Sequence, residues 1–214
     1  MKTKVQIEKW VRKDAFRFFS DYEMPYAQAA AYIHFNKIPL FAKKQKLSFY
    51  GIIAFLVLKA LNRIESFHYG MEEKTIYYYS DLSASFTTLD SDYQVCFSPP
   101  IALCEFEAFM KDFQTKKINA ELHQSVQESN DYNGITYFSC LPRLEFTGIL
   151  QPMRLAAPDA VPRVTWGKYE KVREGYKMIV NLQVHHGFQD GKDIEDFFLL
   201  LQKETNEFEC EFCK

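Results

Sequence analysis

The sequence predicts an α/β fold of the α+β type, a two-layer sandwich in which helices pack against one mixed sheet. Helical and extended segments mix along the 214 residues, and the last two extended segments follow one another directly, which favours a mixed sheet over a doubly wound one. Neither GxGxxG nor GxxxxGK(S/T) occurs, so nucleotide binding by those loops is not expected. With 47% hydrophobic residues the chain is able to bury a full core, and we expect a single domain over residues 1–214.

Apolar periodicity and turn residues place the elements in order. Helices are predicted over residues 10–19, 39–46, 48–65, 101–126 and 194–208. Strands are predicted over residues 26–35, 74–79, 83–89, 93–97, 134–140, 161–172 and 177–184. Ser48 is expected to cap the third helix and Asp193 the last one. Turns are expected at residues 90–92 and 174–175, each between two strands.

Composition narrows the classes of partner. The net charge is −2 and no dense basic block occurs, so a nucleic-acid partner is not expected. The longest apolar run, residues 52–58, is too short to span a bilayer, and the first residues carry no apolar segment typical of a signal peptide. Five scattered cysteines form no disulfide framework, and the CxxC at 210–213 is interpreted as a frayed tail. These features predict a cytoplasmic protein without membrane contact.

The 33 phenylalanines and tyrosines, 20 and 13 respectively, allow two interpretations. They form an aromatic-rich core, or some of them line a pocket for an apolar or aromatic ligand. The two interpretations are compatible, and composition does not choose between them.

The clearest candidate site follows the strand predicted over 177–184. His185 and His186 end that strand, and Asp190 with Gly191 precedes the last helix. Because the pKa of an unperturbed histidine lies near neutral pH, such a side chain is able to take and return a proton as a general base. Adjacent strand residues point to opposite faces, so the two histidines do not easily share an ion, and no metal is expected. A plain strand end with one buried and one solvated histidine is the simpler interpretation.

Four short motifs carry a resemblance to a known family. In chain order they are Trp10-Val11-Arg12-Lys13-Asp14-x-Phe16, Ser139-Cys140-Leu141-Pro142, Thr165-x-x-Lys168-Tyr169 and Leu182-Gln183-Val184-His185-His186-x-x-x-Asp190-Gly191. With these motifs the chain resembles the chloramphenicol acetyltransferase family along nearly its whole length. The histidine motif alone is less specific, because it also occurs in dihydrolipoamide acyltransferase cores and in peptide-synthetase condensation domains. The resemblance implies the CoA-dependent acyltransferase fold and an acyltransferase activity.

The resemblance also implies a mechanism with three participating side chains. His186 is expected to be the general base that deprotonates a hydroxyl of chloramphenicol or a similar acceptor. That oxygen would attack the thioester of acetyl-CoA, the co-substrate, while both substrates are bound, with no acyl-enzyme. Ser139 is expected to donate a hydrogen bond to the oxyanion, which for such a donor is worth roughly 3–4 kcal/mol. Thr165 is expected to help hold the intermediate through a water.

Further roles follow from the same resemblance. Asp190 is expected to pair with Arg12 and fix the turn that carries the histidine, since carboxylate and guanidinium bond well side by side. Lys168 and Tyr169 are expected near the coenzyme. The family forms homotrimers with each active site between two subunits. The residues expected near its ring-lined acceptor pocket are Phe18, Phe19 and Phe97.

Three departures from the family pattern bear on the acceptor. Arg143 stands where the family has tryptophan, residues 187–189 replace Ala-Val-Cys, and residues 192–193 replace Phe-His. Phe188 is expected to reshape the cleft beside the base. The acceptor is therefore either chloramphenicol or another alcohol that the same machinery serves.

Two other functional classes stay open on the sequence. One is an acyltransferase core of the dihydrolipoamide type, although no Ala/Pro-rich linker segment precedes the fold here. The other is a non-catalytic protein with the same fold that binds a hydrophobic ligand. A condensation domain is disfavoured because it needs two such folds in roughly twice this length.

Overall fold

The computed structural model describes residues 1–123, 134–153 and 159–213. Its strands are β1 (Lys2–Lys4), β2 (Tyr26–Phe35), β3 (Tyr69–Glu72), β4 (Thr75–Tyr79), β5 (Ser83–Leu89), β6 (Val95–Phe97), β7 (Ile101–Ala102), β8 (Ile135–Cys140), β9 (Arg163–Lys171) and β10 (Tyr176–His185). Its α-helices are α1 (Lys13–Ser20), α2 (Ile38–Gln45), α3 (Phe49–Leu61), α4 (Phe106–His123) and α5 (Gly191–Phe212). Two short 3₁₀ turns lie at Ile7–Lys9 and Glu65–His68.

The main sheet is mixed, as the sequence predicted. Its strands follow the order β2-β10-β9-β8-β5-β6, and β7 also pairs with β5. β8 runs parallel to both β5 and β9, whereas the other pairs are antiparallel. A second, three-stranded sheet has the order β1-β4-β3, and only its middle strand was predicted from the sequence. The α/β fold with one mixed sheet is confirmed.

The core lies between the helices and one face of the main sheet. Alternate residues of β10, Met178, Val180, Leu182 and Val184, are buried in the same cluster as most of α3 and the inner residues of α4 and α5. α3 begins at the capping side chain of Ser48, which accepts a hydrogen bond from the backbone N–H of Gly51 at 3.2 Å. The predicted cap of this helix is confirmed.

The opposite face of the sheet is polar. Asn181 and Gln183 of β10 are buried because the segment at residues 148–153 crosses them. The Asn181 amide accepts from the N–H of Ile149 at 3.3 Å and donates to its carbonyl at 3.0 Å. The Gln183 side chain accepts from the N–H of Gln151 at 2.8 Å. Because these buried amides are hydrogen-bonded, their burial does not destabilise the fold, and their bonds fix residues 148–153 over the strands.

Three expectations about element ends were wrong. Asp190 rather than Asp193 is the N-cap of α5, because it alone has the extended backbone of a cap, and Asp193 closes a capping box with it. Ile101–Ala102 pairs with β5, so α4 begins only at Phe106. The CxxC tail belongs to α5 and its end, where Cys213 is buried and desolvation raises the pKa of its thiol to about 11.

No helix in the described ranges is both long enough and apolar enough to cross a bilayer.

Candidate active site

The turn between β10 and α5 carries two histidines in contrasting surroundings. His185 is buried between the rings of Tyr26 and Phe188, and its Nδ1 accepts from the N–H of Gly187 at 3.1 Å. Burial lowers the pKa of His185 to about 4, so this ring is neutral at pH 7. His186 is half-buried, and its backbone N–H donates to the carbonyl of Pro25 at 2.7 Å. Of the two, only His186 combines a fixed backbone with an accessible ring.

The His186 ring is held on two sides. It stacks on Phe19 with ring centroids 4.0 Å apart and planes 8° from parallel. Its Nδ1 lies 3.2 Å from the carbonyl oxygen of Gln189. Because a carbonyl oxygen only accepts hydrogen bonds, Nδ1 carries the proton of the neutral ring and Nε2 keeps its lone pair. This is the tautomer that a general base acting through Nε2 requires.

Arg12 binds the turn from the side of α1. Its guanidinium donates to the Asp190 carboxylate at 2.9 Å and lies 3.7 Å from that of Asp193. Longer bonds run to the carbonyls of His186 at 3.4 Å and Gly187 at 3.5 Å. The hydrogen bond from Arg12 holds the pKa of the Asp190 carboxyl below its ordinary value. Arg12 therefore ties both ends of the turn to the N-terminal part of the chain.

Phe188 does not enter the cleft, and the expectation that it would reshape the cleft was wrong. Its side chain is fully buried, with ring centroids 5.4 Å from both Trp10 and Phe16 and 5.3 Å from His185. The ring lies behind the turn because this small aromatic cluster offers it a place out of water. From this buried position the Phe188 ring packs against His185.

Ser139 and Thr165 lie side by side on the polar face. They are paired residues of the parallel strands β8 and β9. The Ser139 hydroxyl accepts from Oγ1 of Thr87 on β5 at 3.1 Å. Thr165 is buried, and its hydroxyl accepts from the Gln151 side chain at 2.7 Å. Each hydroxyl thus has its oxygen engaged and keeps its own O–H available for a further acceptor.

Within one chain, Ser139 and His186 do not converge. Thr165 pairs with Ser139 on one side and with Asn181 of β10 on the other, so His186 lies two strands across and five residues further along. At ~3.3 Å per residue and ~4.8 Å per strand, the two Cα atoms are roughly 19 Å apart. Neither side chain spans such a gap. The chain therefore presents two separate groups of candidate residues.

The phenylalanines predicted near the acceptor divide between these two groups. Phe18 and Phe19 lie on α1 beside His186, in an edge-to-face pair at 5.2 Å, and Phe18 is 60% exposed. Phe97 pairs in register with Thr87 and packs near Tyr137 at 6.3 Å, close to Ser139. We call the first group the histidine half-site (Phe18, Phe19 and His186) and the second the serine half-site (Thr87, Phe97, Ser139 and Thr165).

Lys168 and Tyr169 belong to neither half-site. Tyr169 pairs with Met178, well along β9 from Thr165, and its ring packs against Phe49 at the start of α3, 4.7 Å away. Lys168 is exposed, and its N–H donates to the carbonyl of Leu144 at 2.9 Å. Both residues lie toward the far end of the sheet from His186.

The partners of Ser139 and Thr165 in the serine half-site were not predicted from the sequence. Thr87 and Gln151 hold the two hydroxyls, yet neither stands in a motif. Only the pairing of β5 with β8, which joins residues about fifty positions apart, brings Thr87 to Ser139. In the described parts of the chain, no group of three His, Cys, Asp or Glu side chains is arranged to hold a metal ion.

Comparison with solved structures places the fold among acyltransferases. A chloramphenicol acetyltransferase superimposes with a TM-score of 0.81 at 20% identity, covering 96% of this chain and 100% of the other. A probable dihydrolipoamide acetyltransferase from Listeria monocytogenes does so with a TM-score of 0.63 at 12% identity, covering 96% and 94% of the two chains. The shared fold is that of the acyltransferase cores.

Sequence comparison then gives the family. The chloramphenicol acetyltransferase family profile matches residues 1–202, so the chain belongs to that family of acyltransferases. One relative, chloramphenicol acetyltransferase 3 of Escherichia coli, is 22% identical over 216 aligned positions, which cover 95% of this chain and 97% of the relative. The resemblance inferred from four motifs is confirmed.

Proposed function

We propose that the protein is an O-acetyltransferase that moves the acetyl group of acetyl-CoA to a hydroxyl of chloramphenicol or a similar acceptor. The single observation that carries the proposal is the His186 ring, stacked on Phe19 with its proton directed to the Gln189 carbonyl. That arrangement leaves an Nε2 lone pair next to exposed aromatic side chains, which suit an acceptor with an apolar or aromatic body.

The reaction proceeds by direct transfer with both substrates bound. Nε2 of His186 takes the proton of the acceptor hydroxyl while that oxygen attacks the thioester carbonyl. The oxyanion of the tetrahedral intermediate accepts a hydrogen bond from the free O–H of Ser139, and Thr165 contacts the intermediate through a water. The intermediate expels the CoA thiolate, which receives the proton from His186 and leaves as the thiol. Both hydroxyls suit these roles because their oxygens are already engaged by Thr87 and Gln151.

The active site is formed between two copies of the chain in a homotrimer. The separation of roughly 19 Å between Ser139 and His186 supports this, because one chain alone does not offer both to one carbonyl. A histidine half-site from one copy then faces a serine half-site from the next, and Phe18, Phe19 and Phe97 enclose the acceptor together. Lys168 and Tyr169 contact the coenzyme. Arg12 and Asp190 support the base.

The protein acts in the cytoplasm, where acetyl-CoA is available, and acetylation of the antibiotic there would confer resistance. Its five cysteines are all free, as a reducing compartment maintains them. A non-catalytic ligand-binding protein of this fold would have no need of a base and an oxyanion donor together, which favours the enzyme.

Complementation between two inactive variants tests the proposal. Chains carrying His186→Ala and chains carrying Ser139→Ala are co-expressed, purified together without separation of the oligomers, and assayed for thiol release from acetyl-CoA with chloramphenicol. Random mixing restores both residues in roughly a quarter of the sites of a cyclic trimer, so about a quarter of the wild-type rate is expected. Mixed oligomers as inactive as the parents would reject the shared site. Thiol release undiminished in His186→Ala alone would reject the base.

A panel of hydroxyl-bearing antibiotics, assayed in the same way, identifies the acceptor. Chloramphenicol binding by the wild-type protein without thiol release would favour the ligand-binding alternative.

A further inference from the structure

The peptide unit between Gln189 and Asp190 is hydrogen-bonded at both ends. Its carbonyl oxygen faces Nδ1 of His186 at 3.2 Å, and its N–H donates to the carboxylate of Asp193 at 2.8 Å. A trans peptide unit is planar, so its carbonyl and its N–H point in opposite directions. The carboxylate that fixes the N–H therefore also fixes the direction of the carbonyl that receives the histidine proton.

The Gln189 side chain anchors the same peptide unit to a distant part of the chain. It is fully buried, and its Nε2 donates to the carbonyl of Ser66 at 2.9 Å, in the 3₁₀ turn Glu65–His68. The N–H of Gln189 donates to the carbonyl of His185 at 3.1 Å. Three hydrogen bonds thus fix the carbonyl of Gln189: one from its own backbone N–H, one from its side chain, and one from the N–H of Asp190.

We propose that Asp193 and Gln189 are positioning residues that keep His186 in the tautomer with its proton on Nδ1. The inference rests on the proposed function, because this tautomer matters for catalysis only if Nε2 accepts the substrate proton. A free imidazole populates both tautomers, and the fraction with a proton on Nε2 is unable to act as the base. Neither residue contacts the reacting atoms. Both stand at positions where this chain departs from the pattern of the family.

The chain supplies sharp variants for a test. Asp193→Ala removes the acceptor of the Asp190 N–H, whereas Asp193→Asn keeps an oxygen at the same place and is the conservative rescue. Ser48→Ala removes the capping hydrogen bond at the start of α3, away from the histidine half-site, and is the matched control for loss of a side-chain acceptor at a helix start. Gln189→Met keeps the length of the side chain but removes the donor to Ser66, and it provides a second route if Asp193→Ala folds poorly.

The readout is the tautomer itself, measured by ¹⁵N NMR of the intact, histidine-labelled protein, with the His186 signals assigned by their loss in His186→Ala. In the wild type we expect the proton on Nδ1. In Asp193→Ala and Gln189→Met we expect a mixture of tautomers and a roughly 10-fold lower kcat at unchanged KM, a small part of the 10²–10⁴-fold that a general base contributes. Asp193→Asn and Ser48→Ala should keep both the tautomer and kcat.

The outcomes separate this inference from the function beneath it. An unchanged tautomer in both Asp193→Ala and Gln189→Met, with His186→Ala inactive, overturns the positioning role and leaves the base in place. A wild-type ring protonated on Nε2 also overturns it. Full activity of His186→Ala would reject His186 as the base, and the positioning role would be rejected with it. The inference is supported if Asp193→Ala changes the tautomer and lowers kcat, whereas Asp193→Asn keeps the wild-type tautomer and kcat.

Discussion

The two half-sites are built in opposite ways. The histidine half-site is organised by a turn of six residues, from His185 to Asp190, together with α1. Local hydrogen bonds shape this turn, and bonds to Arg12, Pro25 and Ser66 tie it to distant parts of the chain. The serine half-site joins four strands and the segment that crosses them, and its residues are brought together by the pairing of those strands. A turn that is tied to other segments holds the base, whereas strand pairing holds the oxyanion donor. The difference predicts where substitutions act on turnover alone and where they also act on folding.

Loss of the base is expected to have the largest effect. His186→Ala should lower kcat about 10³-fold or more, because a positioned general base contributes 10²–10⁴-fold. The unfolding free energy should change little, since the ring is half-buried and the turn is held by the backbone and by Arg12. Thiol release and a urea unfolding curve measure the two quantities. His34→Ala, an exposed histidine on β2, is the matched control and should leave both unchanged.

Loss of the oxyanion donor is expected to come next. Ser139→Ala should lower kcat about 10²–10³-fold with little change in the KM for either substrate, since the bond forms chiefly in the transition state. Ser85→Ala, on the same face, removes a buried hydroxyl that donates to the carbonyl of Ser98 at 2.8 Å. This control should destabilise the protein without a comparable loss of kcat. An equal loss in both variants would mean that the serine half-site acts through folding alone.

The two half-sites were predictable from the sequence to different degrees, and their construction explains why. Strand β2 was predicted to the residue, and the turn before α5 was recognised from a contiguous pattern. Even there Asp193 was expected to be the cap in place of Asp190, because aspartate favours helix starts and only backbone angles distinguish the cap. Ser139 was singled out through the family resemblance. Its partner Thr87 carries no signal in sequence, since a parallel pairing of distant strands places it there.

The same limit applies to the ends of elements and to Phe188. Ile101–Ala102 was merged into the following helix because its apolar residues suit either state, and the pairing with β5 decides between them. Phe188 was expected in the cleft because it stands next to the base in sequence. The cluster around Trp10, which takes the ring inward, forms only when the N-terminal segment packs on the turn.

The buried member of the histidine pair should make folding stability depend on pH. The pKa of His185 falls from its ordinary value of 6.5 to about 4 in the folded protein, so the unfolded chain binds this proton first as pH falls. Stability is therefore full above pH 6.5 and should decrease by about 3 kcal/mol as pH falls toward 4, at 1.36 kcal/mol per pKa unit. Asp159, Tyr26 and His186 are the titratable groups that face the ring.

Urea unfolding at a series of pH values measures this dependence. His185→Gln keeps a side-chain acceptor for the Gly187 N–H and removes the titrating group, so it should flatten the profile between pH 4 and 6.5. An unchanged slope in that variant would assign the acid sensitivity to another group.

The smallest expected effect tests whether the histidine half-site depends on Arg12, one of its long-range ties. Arg12→Ala should lower kcat by roughly 10-fold and the unfolding free energy by about 1–3 kcal/mol, because it leaves the Asp190 carboxylate and two turn carbonyls without their shared donor. Arg17→Ala removes an exposed pair with Glu8 and should cost at most about 1 kcal/mol without affecting kcat. Unchanged melting and turnover in Arg12→Ala would show that the other bonds of the turn suffice. A loss of stability alone would make Arg12 a folding contact that the base does not need.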